Sequence, residues 1–318
     1  MTIYDVAACP VCGTQDIRQI ADSNQIKAEM ETLWEFHLKR TETGAPIEQL
    51  FDRAIFSQPP PLQLSRCNGC GTVLRNPIES AEEVVETYAD ETPDVDAFDS
   101  LFEPQQAFYR PRVRRLTKLN GGPGAVLEVG SYIGAFLTVA RDAGWTGKGV
   151  DVNARATAYA RAKGVDVAES TLEEMEAGRS FDVVALWNCF DQLPHSRASL
   201  LAAAAHLKPN GLVALRIPNG ACYAALHRRR RFQPFLAHNN LLGFPYRYGF
   251  SPMGLRTLLA ECGFEVVRMR GDTLVSTAGE WTRKWARVEE RAVKRSMRML
   301  LPRRLLPWIE VYARLAYS

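Results

Sequence analysis

The run Ala125-Val126-Leu127-Glu128-Val129-Gly130-Ser131-Tyr132-Ile133-Gly134-Ala135-Phe136, followed by Gly149-Val150-Asp151-Val152-Asn153, constrains the fold more than any other part of the chain. An apolar strand closes on an acid, a glycine turn opens a helix, and a second strand ends in Asp. That is the opening βαβ unit of a nucleoside-binding sheet.

A dinucleotide site wants G-x-G-x-x-G, because its second glycine lets backbone approach a pyrophosphate at the helix N-terminus. Here Tyr132 takes that position and Glu128 faces the ligand's charged end. S-adenosylmethionine has no phosphate and carries an ammonium group, so it suits both residues. Gly130 and Gly134 permit the tight turn, and Asp151 can accept two hydrogen bonds from ribose hydroxyls. Two other readings stand beside this one: a bare strand-to-helix turn in another α/β protein, and an NAD oxidoreductase, which Tyr132 disfavours.

Downstream, Ala154 to Lys163 reads as a helix, Val165 to Glu169 as a third strand and Phe181 to Asn188 as a fourth, apolar strand of the buried parallel kind. A helix over Leu200 to Leu207, the turn Pro209-Asn210-Gly211, a strand to Ile217, a helix over Pro252 to Cys262 and strands Gly263 to Val267 and Thr273 to Ser276 complete seven strands. The pattern is α/β and doubly wound.

The run from Val126 to Thr277 resembles the catalytic domain of class I S-adenosylmethionine-dependent methyltransferases. The resemblance rests on Leu127-Glu128-Val129-Gly130, Gly149-Val150-Asp151, Phe181-Asp182-Val183-Val184, Leu207-Lys208-Pro209-Asn210-Gly211 and Cys262-Gly263-Phe264. It implies a Rossmann-like seven-stranded sheet and a cofactor site drawn from Glu128, Gly130, Ser131, Tyr132, Gly134, Asp151, Val152, Ala168, Glu169 and Asn188. Tyr132 departs from the family's middle glycine, and Asp191-Gln192-Leu193-Pro194 stands where many relatives read Glu-His-Leu-Pro. Catalytic roles therefore do not carry over.

Cys9-Pro10-Val11-Cys12-Gly13 and Cys67-Asn68-Gly69-Cys70-Gly71 form two C-x-x-C-G knuckles. Each pair can give two thiolates to one tetrahedral ion, which predicts a closed, structural zinc site held by Cys9, Cys12, Cys67 and Cys70. Disulfides or a redox pair are the alternatives, disfavoured by the lack of a secretory pattern and of a thioredoxin-like context. Between the knuckles, Asn24 to Lys39 has helical spacing and Ile47 to Phe56 suggests a second helix. The order knuckle, insert, knuckle, catalytic domain also resembles bacterial methyltransferases that modify sugars and secondary metabolites.

The expected organisation is a zinc ribbon over 1–80, a linker with cofactor-covering helices over 81–120, the methyltransferase domain over 121–279 with a lid at 220–250, and a basic, amphipathic helical tail over 280–318. A break at Pro111 is expected in the helix Gln105 to Leu119. The net charge of +3 exerts no global pull toward nucleic acid. No apolar run reaches the roughly 20 residues of a membrane span, so a cytoplasmic monomer or homodimer is expected.

Ligands of such sheets bind outside the carboxyl ends of the strands. That expectation gathers Asn188, Asp191, His195, Pro218 and Asn219 around the acceptor, under a lid carrying Arg228 to Arg231, His238, Tyr246 and Tyr248. His238 is the leading candidate base and His195 the second, with lid packing or a surface position as the plain alternative for each. Arg229 and Arg230 would clamp an anionic handle on a small-molecule acceptor, unless the run is a solvated loop. The tail packs on the protein itself or lies on an anionic membrane. The activity expected is O-methylation of a sugar-containing or secondary metabolite, with C-methylation of an activated sugar, RNA methylation and a silent cofactor-binding scaffold as rivals.

Overall fold

The structure is a computed structural model that describes residues 3–45, 61–89, 95–243, 247–274, 281–302 and 305–316, with 95–97 as backbone alone. The segment expected to hold the helix Ile47 to Phe56, Tyr246, and the strand residues Val275 and Ser276 lie outside these residues.

The N-terminal unit comprises β1 (Ile3–Tyr4), β2 (Ile17–Ala21), α1 (Ser23–Arg40), β3 (Leu64–Cys67), β4 (Val73–Arg75) and β5 (Ile78–Glu79). Asp22 starts α1 through a capping box with Gln25: the Gln25 N–H donates to Asp22 Oδ1 at 2.9 Å and the Asp22 N–H to Gln25 Oε1 at 3.0 Å. Ile26, Leu33 and Phe36 are its buried stripe.

The two knuckles meet beside β3. Cys9 Sγ lies 3.7 Å from Cys70 Sγ and Cys12 Sγ 3.5 Å from Cys67 Sγ, and all four sulfurs fall within 4.8 Å of one another. Tetrahedral zinc with bonds of about 2.3 Å separates its sulfurs by roughly 3.8 Å. The cluster therefore fits a structural zinc ion with four cysteine ligands.

Two helices follow, α2 (Ala81–Ala89) and α3 (Val95–Asn120). The helix α3 runs unbroken through Pro104 and Pro111, contrary to the expected break. Tyr109, Val113 and Leu116 flank Pro111 and are buried against the sheet layer, so tertiary burial outweighs the local penalty.

The catalytic domain then reads β6 (Ala125–Val129), α4 (Ala135–Asp142), β7 (Thr146–Asp151), α5 (Ala154–Ala162), β8 (Asp166–Glu169), β9 (Phe181–Trp187), α6 (Ser196–His206) and β10 (Leu207–Pro218). Next come α7 (Gly220–Leu226), a 3-10 turn (Arg230–Phe232), α8 (Gln233–Ala237), β11 (Tyr248–Gly249), α9 (Pro252–Glu261), β12 (Phe264–Asp272), α10 (Lys284–Leu300) and β13 (Trp308–Leu315). Seven of the strands form one sheet in the order β12-β13-β10-β9-β6-β7-β8. Successive residues bury opposite faces: Val126, Val183 and Leu212 join one core, and Leu127, Val184 and Val213 the other.

Two expectations are corrected. The seventh strand is β13, antiparallel between β10 and β12, so the tail is a helix followed by a strand and not helical throughout. The described residues of 220–250 clamp the N-terminal unit, and among them Asn240 alone lines the cavity. β11 pairs with β4 to extend the small sheet β11-β4-β3-β2, and Tyr223 Oη and His227 Nδ1 reach the buried Glu29 of α1 at 2.9 and 3.2 Å. Hydrophobic contact drives this docking, since Leu226, Leu236 and Leu241 share a core with Ile26, Leu33 and Leu64.

Because the cysteine cluster organises a unit with few strands of its own, chelation of zinc or Cys67→Ser should lower Tm by more than about 5 °C. Metal analysis should give one zinc per native chain and less than half an equivalent in the variant, roughly. An unchanged melting curve after verified metal loss would count against the structural role.

Candidate active site

A cavity of about 900 Å³ opens over the carboxyl ends of β6 and β9, where strand order reverses. Its cofactor-like end is built by the turn between β6 and α4. Gly130 (φ 66°) and Gly134 (φ 73°) adopt left-handed backbone. A Cβ on Gly130 would meet Cys189 at 3.0 Å, and one on Gly134 would meet Val165 at 2.6 Å. Tyr132 is also left-handed (φ 47°), and its N–H donates to Asp151 Oδ2 at 2.7 Å. Asp151 Oδ1 accepts the Asn153 N–H at 2.9 Å, so the carboxylate is fixed at the strand tip.

Glu128 stands behind this turn, buried, with Oε2 lacking a hydrogen-bond partner. Burial raises its pKa well above the ordinary value, and the neighbouring Asp151 charge pushes it further. Asp151 is also raised, chiefly by burial, against three backbone hydrogen bonds that lower it. Two close, poorly neutralised carboxyls and an orphan oxygen fit a ligand that brings positive charge.

Of the residues expected to touch cofactor, Gly130, Ser131, Tyr132, Asp151, Val152 and Asn188 line the cavity. Glu128 and Gly134 lie just behind it, and Ser170, Thr171 and Leu172 line the wall where Ala168 and Glu169 were expected. Helix α2 covers this end with Val84, Val85 and Tyr88, tied down where Asn153 Nδ2 donates to the Tyr88 carbonyl at 3.0 Å. Tyr109 of α3 lines the cavity, whereas Arg114 is exposed and turned away.

At the other end lie Asp191, Arg216, Pro218, Asn240, Leu274 and Trp308. Asp191 is buried with neither carboxylate oxygen paired to another residue, and burial pushes its pKa up to about 8 despite the lowering influence of its own backbone N–H and of Arg216. Arg216 is buried two residues before the end of β10. Its Nη1 donates to Asn188 Oδ1, its Nη2 to the Thr273 carbonyl at 2.9 Å and its Nε to Asp272 at 3.3 Å, and its guanidinium lies 4.2 Å from the Trp308 ring. Arg112 bonds Asp272 at 2.6 Å and lies 3.3 Å from Glu310, which Arg115 also contacts. Burial works to raise the Asp272 pKa, but Arg216 and Arg112 hold it below the carboxylate range. With the more exposed Arg298, which lies 3.5 Å from Asp272, four arginines thus share two carboxylates near Asp191.

The remaining expectations separate. His195 sits exposed on the rim at the N-terminus of α6. His238 is outside the cavity lining: its ring packs edge-on to Phe36 at 4.7 Å, and burial pushes its pKa down to about 4 although Glu289 lies 3.6 Å away. The left-handed Asn240 (φ 53°) turns the chain after α8, and it lines the cavity instead. Asn219 is occupied as the cap of α7, accepting the Ala221 N–H at 3.0 Å and donating to the Leu306 carbonyl at 2.7 Å. Arg229 and Arg230 are exposed away from the cavity, next to Arg228, which donates to the Ile20 carbonyl at 2.8 Å. Tyr248 is buried behind the wall, its hydroxyl on the Pro194 carbonyl at 3.0 Å. The residues that sequence reasoning missed are Arg216, Asn240 and Trp308. A lone arginine inside the apolar strand Gly211 to Ile217 was the available signal for the first.

Sheet order, glycine turn and paired acids define a class I methyltransferase domain. The sequence matches the methyltransferase-domain family over residues 101–269, more than half the chain, and the protein belongs to that family of S-adenosylmethionine-dependent enzymes. A Rickettsia canadensis ubiquinone biosynthesis O-methyltransferase is 23% identical over 170 residues, covering 49% of this chain and 69% of that protein. The methyltransferase solved with its Trm112 activator from Haloferax volcanii shares 14% identity at a TM-score of 0.50 over 73% of this chain and 98% of its own. A Burkholderia thailandensis 1,6-didemethyltoxoflavin N1-methyltransferase shares 15% at 0.47, over 77% and 96%.

Glu128→Gln should weaken S-adenosylmethionine binding about 10- to 100-fold by calorimetry. Because burial raises the Glu128 pKa and a cationic ligand favours its ionised form, native binding should release protons and tighten as pH rises through that raised pKa. The variant should lose that proton release; equal proton release in both proteins would remove Glu128 from the site.

Proposed function

We propose that the enzyme methylates a hydroxyl of a small, ring-containing acceptor that carries an anionic group, with Asp191 as the general base. The observation that carries this reading is Asp191 itself: a buried carboxyl in the cavity wall with both oxygens unpartnered and a pKa of about 8. Such a group is costly to keep without a donor, and an acceptor hydroxyl is a donor.

When bound, S-adenosylmethionine supplies an electrophilic methyl group on a sulfonium. Glu128 and Asp151 would hold its charged end and ribose, and Tyr132 and α2 would close water out. Asp191 accepts the hydroxyl proton as the oxygen becomes nucleophilic, work for which a pKa near the operating pH is suited. Trp187, Trp308 and Tyr109 provide flat walls for a ring, in keeping with a sugar-containing or secondary metabolite. Arg216 replaces Arg229 and Arg230 as the group facing an anionic handle, since arginines outnumber the carboxylates they pair with around it. The similarity to an O-methylating relative supports oxygen as the acceptor atom.

Asp191→Asn should lower kcat by about 10²- to 10⁴-fold while leaving cofactor affinity within about threefold. A base must be ionised, so native kcat/KM should rise with pH around a midpoint near 8, and the variant should lose that limb. His238→Gln should leave kcat within about threefold. A surviving pH limb in Asp191→Asn would transfer the role elsewhere, with rim-exposed His195 next in line.

A further inference from the structure

The helix α10 is apolar on two sides. Ala286 and Met297 are buried against the protein, as are Glu290 and Lys294, which pair with each other. At about 100° per residue, Trp285, Val288, Ala292 and Met299 fall within an arc of roughly 60° on the opposite side. That arc faces outward: Trp285 is 50% exposed, Val288 65% and Met299 74%, and Leu300 at the helix end is 79% exposed. An outward helix face in a soluble domain is ordinarily polar.

Beside this stripe runs a second one of Lys284, Arg291 and Arg295, all exposed. Neither stripe contains an acid. Glu289 lies beyond the apolar stripe and is bound to Arg40 at 2.8 Å, and Glu290 is on the buried face. Among the described residues no helix is long and apolar enough to cross a membrane.

We propose that α10 docks flat on an anionic lipid surface, its apolar stripe at the acyl boundary and its cationic stripe on the headgroups. Charge selects this occupant over a second copy of the chain. A two-fold contact through α10 would set cations against cations with no acid to receive them. The helix also adjoins the acceptor end of the cavity: Arg298 donates to Thr273 Oγ1 at 2.6 Å and Asn239 Nδ2 lies 3.6 Å from Met297 Sδ, while the next residues, Leu274 and Asn240, line the cavity. Docking would hold that end of the cavity near the lipid. The proposal concerns a surface and does not depend on which acceptor is methylated.

The test is co-sedimentation of the full, zinc-loaded chain with vesicles of phosphatidylcholine alone and of equal parts phosphatidylcholine and phosphatidylglycerol. Binding is expected with the anionic vesicles only. The double variant Arg291→Glu/Arg295→Glu, and separately Val288→Ser/Met299→Ser, should each lower partitioning at least about tenfold. Zinc content and S-adenosylmethionine affinity should be retained in both, which separates a failure of docking from a failure of the fold or of the catalytic reading. No binding to anionic vesicles, equal binding to neutral ones, or self-association abolished by Val288→Ser/Met299→Ser would each overturn the proposal.

Discussion

Two residue pairs, Tyr248 with Leu74 and Gly249 with Val73, join the cysteine-bound sheet to the catalytic domain, and the acceptor end of the cavity depends on that junction. Tyr248 makes the connection in both directions. Its backbone pairs with β4, its N–H donates to the Asp191 carbonyl at 3.2 Å, and its hydroxyl donates to the Pro194 carbonyl at 3.0 Å. Three residues on, Ser251 Oγ donates to the Cys70 carbonyl at 2.5 Å and accepts the Gly254 N–H that starts α9. A Cβ on Gly254 would come within 2.6 Å of Thr72 Oγ1, so the helix can begin against the knuckle only with glycine there. The zinc site therefore fixes, through few intermediaries, the loop that carries Asp191. A nucleic-acid grip is not needed to explain why this methyltransferase carries a ribbon.

Much of this was legible in advance where local chemistry and burial agreed. The β6–α4 turn, the acid at each strand tip and the paired knuckles are short-range patterns whose residue types permit few structures. The helix over Asn24 to Lys39 was readable from its apolar period, and it appears as Ser23–Arg40. The final strand was misread for an identifiable reason. Pro302 and Pro307 suggested broken helices, yet Trp308 to Leu315 alternates Ile309, Val311 and Ala313 on one face with Glu310 and Tyr312 on the other, a period of two rich in β-branched and aromatic residues.

The site was harder to read because its decisive contacts are long-range. Asn219, His238 and Arg229 all lie in the stretch after β10 that the doubly wound pattern directs toward an acceptor. The actual partners of Asn219 and His238, Leu306 and Phe36, are distant in sequence, as is the Ile20 carbonyl of β2 that the neighbouring Arg228 reaches, and nothing local marks them. Arg216 is the reverse case. A charge in a buried strand demands compensation, but its compensators come from α3, β12 and β13, which only the folded sheet assembles.

The cavity is electrically graded from one end to the other, which bears on the chemistry it can support. Glu128 and Asp151 make the first end acidic, Arg112, Arg115 and Arg216 outnumber Asp272 and Glu310 at the second, and Asp191 lies in the same enclosed space. On the proposed reading a cationic ligand would be drawn to the first end and an anionic acceptor to the second, so that the two reactants would be sorted before they meet. The proposed methyl transfer from a sulfonium to an oxygen bearing negative charge would cancel both charges, and a reaction that loses charge proceeds better where water is excluded and fixed dipoles stand in for it. Aromatic walls from Tyr88, Tyr109, Trp187 and Trp308 contribute to that exclusion. The raised pKa of Asp191 follows from the same dryness: the burial that disfavours its charged form is also what would make its carboxylate a strong enough base for the proposed removal of a hydroxyl proton.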